Sequence, residues 1–137
     1  MIGFSSTSYT KLNNVYPQEA ATLLDGLLAE GETIHSAFRN DRNWVVLTDR
    51  RLIVTTPQRM AGKRTDITFL TYSTIRAHSV EVPGRSDSTA GKLDLWFADL
   101  GWYGMMGGVG GPCTMILEFA AGVDLRGLAR FVAEQIR

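Results

Sequence analysis

WVVLTDRRLIV, residues 44–54, is the stretch whose reading decides the fold. Trp44–Leu47 and Leu52–Val54 are almost unbroken apolar runs, too short for helices and rich in β-branched residues, with the polar group TDRR between them. A strand with one wet face alternates apolar and polar residues; a continuous run is expected of a strand covered on both faces. The stretch therefore predicts two adjacent strands joined by a turn and packed from both sides.

The same signals extend outward. Upstream, ETIHSAF (residues 32–38) is a further short run, separated from NWVVLT by the polar segment RNDRN. Downstream the alternation is cleaner: Ile67, Phe69 and Thr71 share one face of DITFLTY; Leu93, Leu95 and Phe97 share one face of KLDLWFA; Met115, Leu117 and Phe119 share one face of TMILEFA. IRAHSVEV lies between the first two and ends at Pro83–Gly84. About seven closely spaced strands predict an antiparallel barrel or sandwich.

Two helices flank the strands. YPQEAATLLDGLLAEGE places Pro17 at a first helical position, Ala20, Leu23, Leu24, Leu27 and Leu28 on one stripe, and Gly31 at the stop. Gly26 weakens this helix by ~1 kcal/mol relative to Ala, so it depends on packing its leucines. At the other end Asp124 is an expected N-cap, and Leu125, Leu128, Ala129, Val132 and Ile136 form one helical face. Burying its four large aliphatic residues contributes roughly 6–12 kcal/mol gross, so the helix over 124–137 belongs to the core. Residues 1–16, rich in Ser, Thr and Asn, are expected to be a loosely ordered arm, followed by a single domain over 17–137.

With 137 residues, 45% of them hydrophobic and 20% charged, the chain is long enough for one self-supporting domain and excludes a disordered or coiled-coil composition. Fourteen basic residues balance fourteen acidic ones, so nothing global favours nucleic acid, and an anionic partner would need a local patch. The single cysteine, Cys113, and the absence of a leader-like start point to a cytoplasmic setting.

The order helix, strands, amphipathic helix resembles the pleckstrin-homology (PH) superfold. LLAEGETIHSAF, WVVLTDRRLIV, GKRTDITFLTYSTIRAHSVEV, KLDLWF and VDLRGLARFVAEQI resemble, in order, the blocks of the bacterial PH-like domain family, across roughly residues 23–137. The resemblance implies a mostly-β fold: a bent antiparallel barrel of about seven strands, capped by the C-terminal helix, with the N-terminal helix as an addition. It also implies a non-catalytic, often self-associating module. The final helix has no tryptophan where eukaryotic PH domains typically carry one, leaving Phe131 for part of that role, and residues 101–112 form a longer connection than is usual in the family.

That connection, GWYGMMGGVGGP, is uncharged and glycine-rich. As a phosphate cradle it fails: Gly108 and Gly110 fit a dinucleotide fingerprint but its third position is Cys113, no Walker lysine is present, and a strand pattern follows where a helix N-terminus is needed. Trp102, Tyr103, Met105 and Met106 are candidates for a subunit contact, for a lipid-facing tip, or for folding back on the barrel. Trp96, out of phase with Leu95 and Phe97, is expected on the outer face and is a further interface candidate. Trp44 is expected to be structural.

Basic residues concentrate between 39 and 64. Arg39 and Arg42 fall in the first inter-strand loop and Arg59, Lys63 and Arg64 in the third; the PH resemblance would join these at one rim beside the glycine-rich loop, where they could attract anionic lipid headgroups. Arg50 and Arg51 are expected to be ordinary solvated turn charges. His35 and His78 have no metal-ligand spacing around them, Cys113 is expected to be a buried structural thiol, and no nucleophile or acid–base spacing appears. No catalytic residue, metal or cofactor is expected. The leading expectation is a self-associating, non-enzymatic binding module, a homo-oligomer in the cytoplasm. The alternative is a peripheral binder of anionic membrane at the inner face, using the basic rim and the 101–112 loop.

Overall fold

The computed structural model describes residues 6–57, 65–83, 91–97 and 113–136. The strands are β1 (Ser6–Val15), β2 (Ile34–Arg39), β3 (Trp44–Thr48), β4 (Arg51–Pro57), β5 (Thr65–Thr71), β6 (Ile75–Glu81), β7 (Lys92–Phe97) and β8 (Cys113–Phe119). Helix α1 spans Pro17–Leu23 and α2 spans Leu125–Gln135. The strands form one curled sheet in the order β5-β4-β3-β2-β1-β8-β7-β6, a half-barrel with α2 packed inside. The mostly-β architecture, with a C-terminal helix and a short helix towards the N-terminus, is as expected; the added first strand and the parallel pair described next are not.

The N-terminal segment is the main correction. Residues 6–15, expected to be part of a loose arm, form β1, which inserts between β2 and β8 and runs parallel to β8. Tyr9 and Leu12 anchor it, both buried in the main core, and the Tyr9 hydroxyl donates to the Thr55 carbonyl at 3.3 Å. Few apolar residues suffice because the neighbouring strands supply backbone partners along most of its length.

The interior has two parts. The larger core gathers Phe38, Leu47, Leu52 and the inward residues of β7 and β8, closed by Leu125, Leu128 and Val132 of α2. On the other side of β3 and β4, Val46 and Ile53 join Ala20, Leu24 and Ala37 in a second cluster beneath α1. Alternate residues of WVVL and LIV thus serve different clusters, which is why those runs are unbroken. Helix α2 is capped as its sequence predicts, with Asp124 Oδ1 accepting from the Gly127 N–H at 3.1 Å.

Helix α1 is shorter than its leucine stripe predicts. It ends at Leu23, and Gly26, with φ of 80°, takes the left-handed conformation that a helix cannot continue through. Leu24 is still fully buried, but Leu27 is 43% exposed and lies off the packed face.

Candidate functional site

The strand directions place one set of loops together. β2 runs into the 40–43 turn, β4 and β5 meet at the pair Pro57 and Thr65 at that end, and β8, parallel to β1, starts there beside Phe97. Of the basic candidates, Arg39 and Arg42 are exposed at this end. The Arg39 guanidinium lies 5.0 Å from the Trp44 ring centre, so its direction is set by a cation–π contact. Arg59, Lys63 and Arg64, like Trp102, Tyr103, Met105 and Met106, lie outside the described residues.

The turn carrying Arg42 is held by Asn40. Asn40 Oδ1 accepts from the Arg42 and Asn43 N–H groups at 2.9 and 2.7 Å, and Asn40 Nδ2 donates to the Thr10 carbonyl at 2.8 Å. The last bond ties the turn to β1. β1 and the turn border an open polar hollow of about 440 Å³ at the surface, lined by Lys11 and Arg42 among others.

Trp96 projects from the face of β7 opposite Leu93, Leu95 and Phe97, and is half-buried. Its cross-strand neighbours are Ala77 on β6 and Thr114 on β8; the next row is Ser79, Asp94 and Ile116. Asp94 Oδ1 is shielded from solvent and has no hydrogen-bond partner among the described residues. The helices do not cover this face: α2 packs inside the curl and α1 packs on β2.

The charges expected to be solvated divide. Arg50 is exposed, but Arg51 is paired with Glu32, whose side chain is fully buried. Arg51 donates through Nε to Glu32 Oε2 at 2.9 Å and through Nη2 to Oε1 at 2.8 Å and the Leu27 carbonyl at 3.0 Å. The Thr48 hydroxyl and the Ala29 N–H also donate to Glu32, and the Arg51 guanidinium lies 4.4 Å from the Phe69 ring centre. The hydrogen bonds from Arg51 dominate and outweigh burial, holding the Glu32 carboxyl at about 2. Neighbouring Tyr72 donates to the Thr48 carbonyl at 2.7 Å, and burial, then Asp49 and Glu32, pushes its phenol above the ordinary range. Both Glu32 oxygens and the Arg51 Nε and Nη2 groups are hydrogen-bonded, so the pair forms a clasp between the 24–33 segment and the β3–β4 turn. Sequence reasoning missed it because the partners lie on separate segments; the one signal was a glutamate at the start of an apolar run.

The remaining candidates are placed without forming a site. His35 is exposed and stacks on Phe131 with ring centres 3.7 Å apart, and Phe131 meets Tyr72 edge-on. His78 lies half-buried opposite Leu95. Cys113 pairs with Phe97 through the backbone, and its side chain lies outside the described set. Among the described residues there is no group of three or more His, Cys, Asp or Glu that could hold a metal ion, and no helix long and apolar enough to cross a membrane.

A curled sheet with a C-terminal helix packed inside it is the PH-like arrangement. The model of the bacterial PH domain matches residues 3–136, and the chain belongs to that family. A DUF1696-family protein with a pleckstrin-homology domain from Shewanella loihica PV-4 superposes with a TM-score of 0.68 at 25% identity, covering 93% of this chain and 98% of that one. A pleckstrin-homology domain from Shewanella amazonensis SB2B gives 0.58 at 23% identity, over 90% of both chains, which supports the fold alone. Uncharacterized protein YjqA of Bacillus subtilis strain 168 is 38% identical over 72 residues, which span 53% of this chain and 57% of that protein. The family is one of binding modules in general.

Proposed function

We propose that this chain is a non-enzymatic interaction module that associates with further copies of itself through the outer face of β6, β7 and β8, in the cytoplasm. The observation that carries this reading is the setting of Trp96. The half-buried tryptophan lies between Ala77 and Thr114, with Ile116 on the diagonal opposite Asp94, and Ser79, Lys92 and Glu118 further along the same face. Large aromatics surrounded by polar residues are typical anchors of protein interfaces. The shielded, unpartnered Asp94 oxygen in the next row suits a donor supplied from outside the chain.

A second reading, binding at the inner surface of an anionic membrane, draws support from the exposed Arg39 and Arg42 at the end of the sheet where β4, β5, β7 and β8 also have ends. Scattering-detected size exclusion, run with and without phosphatidylglycerol vesicles, separates the two. Self-association predicts a defined oligomer that ignores lipid and loses mass in Trp96→Ala; an unchanged mass in that variant overturns it. Membrane binding predicts co-elution with vesicles that salt reverses. Vesicle binding that survives loss of both Arg39/Arg42 and Lys63/Arg64 defeats that reading.

A further inference from the structure

We propose that the hollow between β1 and the 40–43 turn is a binding site for a phosphate ester, with Lys11 and Arg42 as its cationic walls. The first observation is backbone conformation. Strict alternation along β1 would place Lys11 inward after Tyr9, and would turn Leu12 outward. Instead the pairing with β8 shifts register between Tyr9 and Leu12, Lys11 adopts φ of 55°, and both Tyr9 and Leu12 are buried. The bulge therefore presents Thr10 and Lys11 consecutively at the surface. Left-handed backbone is strained for a lysine, and glycine or asparagine adopts it at less cost. A lysine held there is a reason to look for a role of its ammonium group.

The second observation is what the bulge faces. The hollow of about 440 Å³ has room for a phosphate carrying a glycerol- or sugar-sized group. Its lining brings Lys11 and Arg42 against a single carboxylate, Asp41, with the hydroxyl-bearing Ser8 and Thr10 alongside. Among the described residues neither cation is taken up in an ion pair. The opposite wall is fixed in advance, since Asn40 closes the turn and bonds to β1, while Asn13 Nδ2 donates to the Lys11 carbonyl at 3.2 Å. An ammonium, a guanidinium fork and nearby hydroxyls on rigid backbone suit the several oxygens of a phosphate.

The source could be a soluble phosphate ester or a lipid headgroup, and the test separates them. The full chain is titrated with glycerol 3-phosphate at constant ionic strength and followed by amide NMR; a parallel series uses phosphatidylglycerol vesicles. Expected are shifts centred on residues 8–13 and 40–43, and a loss of affinity of about tenfold or more in Lys11→Asn and in Arg42→Gln. Lys11→Asn suits the left-handed backbone, so it should raise Tm by roughly 2–5 °C while weakening binding about tenfold or more, a combination that a purely structural lysine would not give. Lys11→Arg should retain binding. An equal response to sodium chloride, shifts elsewhere, or unchanged affinity in both variants overturns the proposal. Although the anion chemistry overlaps the membrane reading, the outcomes differ. Vesicle binding indifferent to Lys11→Asn leaves that reading standing and removes this one, whereas glycerol 3-phosphate binding without vesicle binding does the reverse.

Discussion

β3 and β4 on one side, and β7 and β8 on the other, belong to the same sheet but are finished differently. On β3 and β4, neighbouring residues serve opposite clusters: Val45 and Leu47 face the main core, while Val46 and Ile53 lie beneath α1. On β7 and β8 one face is buried, while the other carries the half-buried Asp94, Trp96 and Ile116, with neither α1 nor α2 packed over it. Sequence alternation tracks this difference: unbroken apolar runs mark the doubly covered strands, and period-2 runs mark the singly covered ones. Among the described residues the first pair is packed on both faces, and the second on one.

Three measurements would break or sharpen that contrast. The largest effect is expected from deleting residues 124–137, which strips the inner face of the one-sided strands of Leu125, Leu128 and Val132. The truncated chain should lose its cooperative thermal transition, and a sharp melt would show that one-sided strands stand without the helix. Next comes Glu32→Gln, which leaves Arg51 half-buried without its counter-charge and should cost about 3–5 kcal/mol in denaturant unfolding. Because the folded Glu32 carboxyl titrates near 2 rather than its usual 4.5, its contribution is complete above about pH 4.5. It is lost as pH falls toward 2, roughly 3 kcal/mol in all. Wild-type stability should therefore fall across that window more steeply than that of the variant; parallel slopes would deny the clasp its role. The smallest effect is a paired one. Ile53→Ala should cost about 2–4 kcal/mol, and Ile116→Ala, on the open face, about 1 kcal/mol or less in the monomer. Equal costs would mean that the outer face is covered after all.

Much of this was legible from residue order alone. Leu93, Leu95 and Phe97, then Met115, Leu117 and Phe119, declare their buried face by period, and Asp124 declares the start of α2, because these signals are local. β1 was not legible: its polar residues carry no apolar alternation, and the bulge at Lys11 resets the phase between Tyr9 and Leu12. Its strand character comes from partners far along the chain. The early end of α1 was half-visible in Gly26, whose effect was read as a weakening rather than as a stop. The Glu32–Arg51 pair escaped because an isolated turn arginine is normally solvated, and only the fold brings it against a buried carboxylate. Trp96 was placed on the correct face by alternation, whereas the Lys11 hollow needs the bulge and the turn together.

The position of β1 between β2 and β8 also has a consequence in time. Ser6 pairs with Thr114, more than a hundred positions later, whereas the hairpins from β2 to β5 pair with their immediate successors. Closing so long a segment is entropically slow, so the hairpins are expected to assemble early and the seam between β1 and β8 late. During synthesis β1 leaves the ribosome before β8 exists, and one of its edges must wait for nearly the whole domain to be translated. A chain interrupted before residue 113 would hold β1 with that edge bare, an open template for pairing with another molecule.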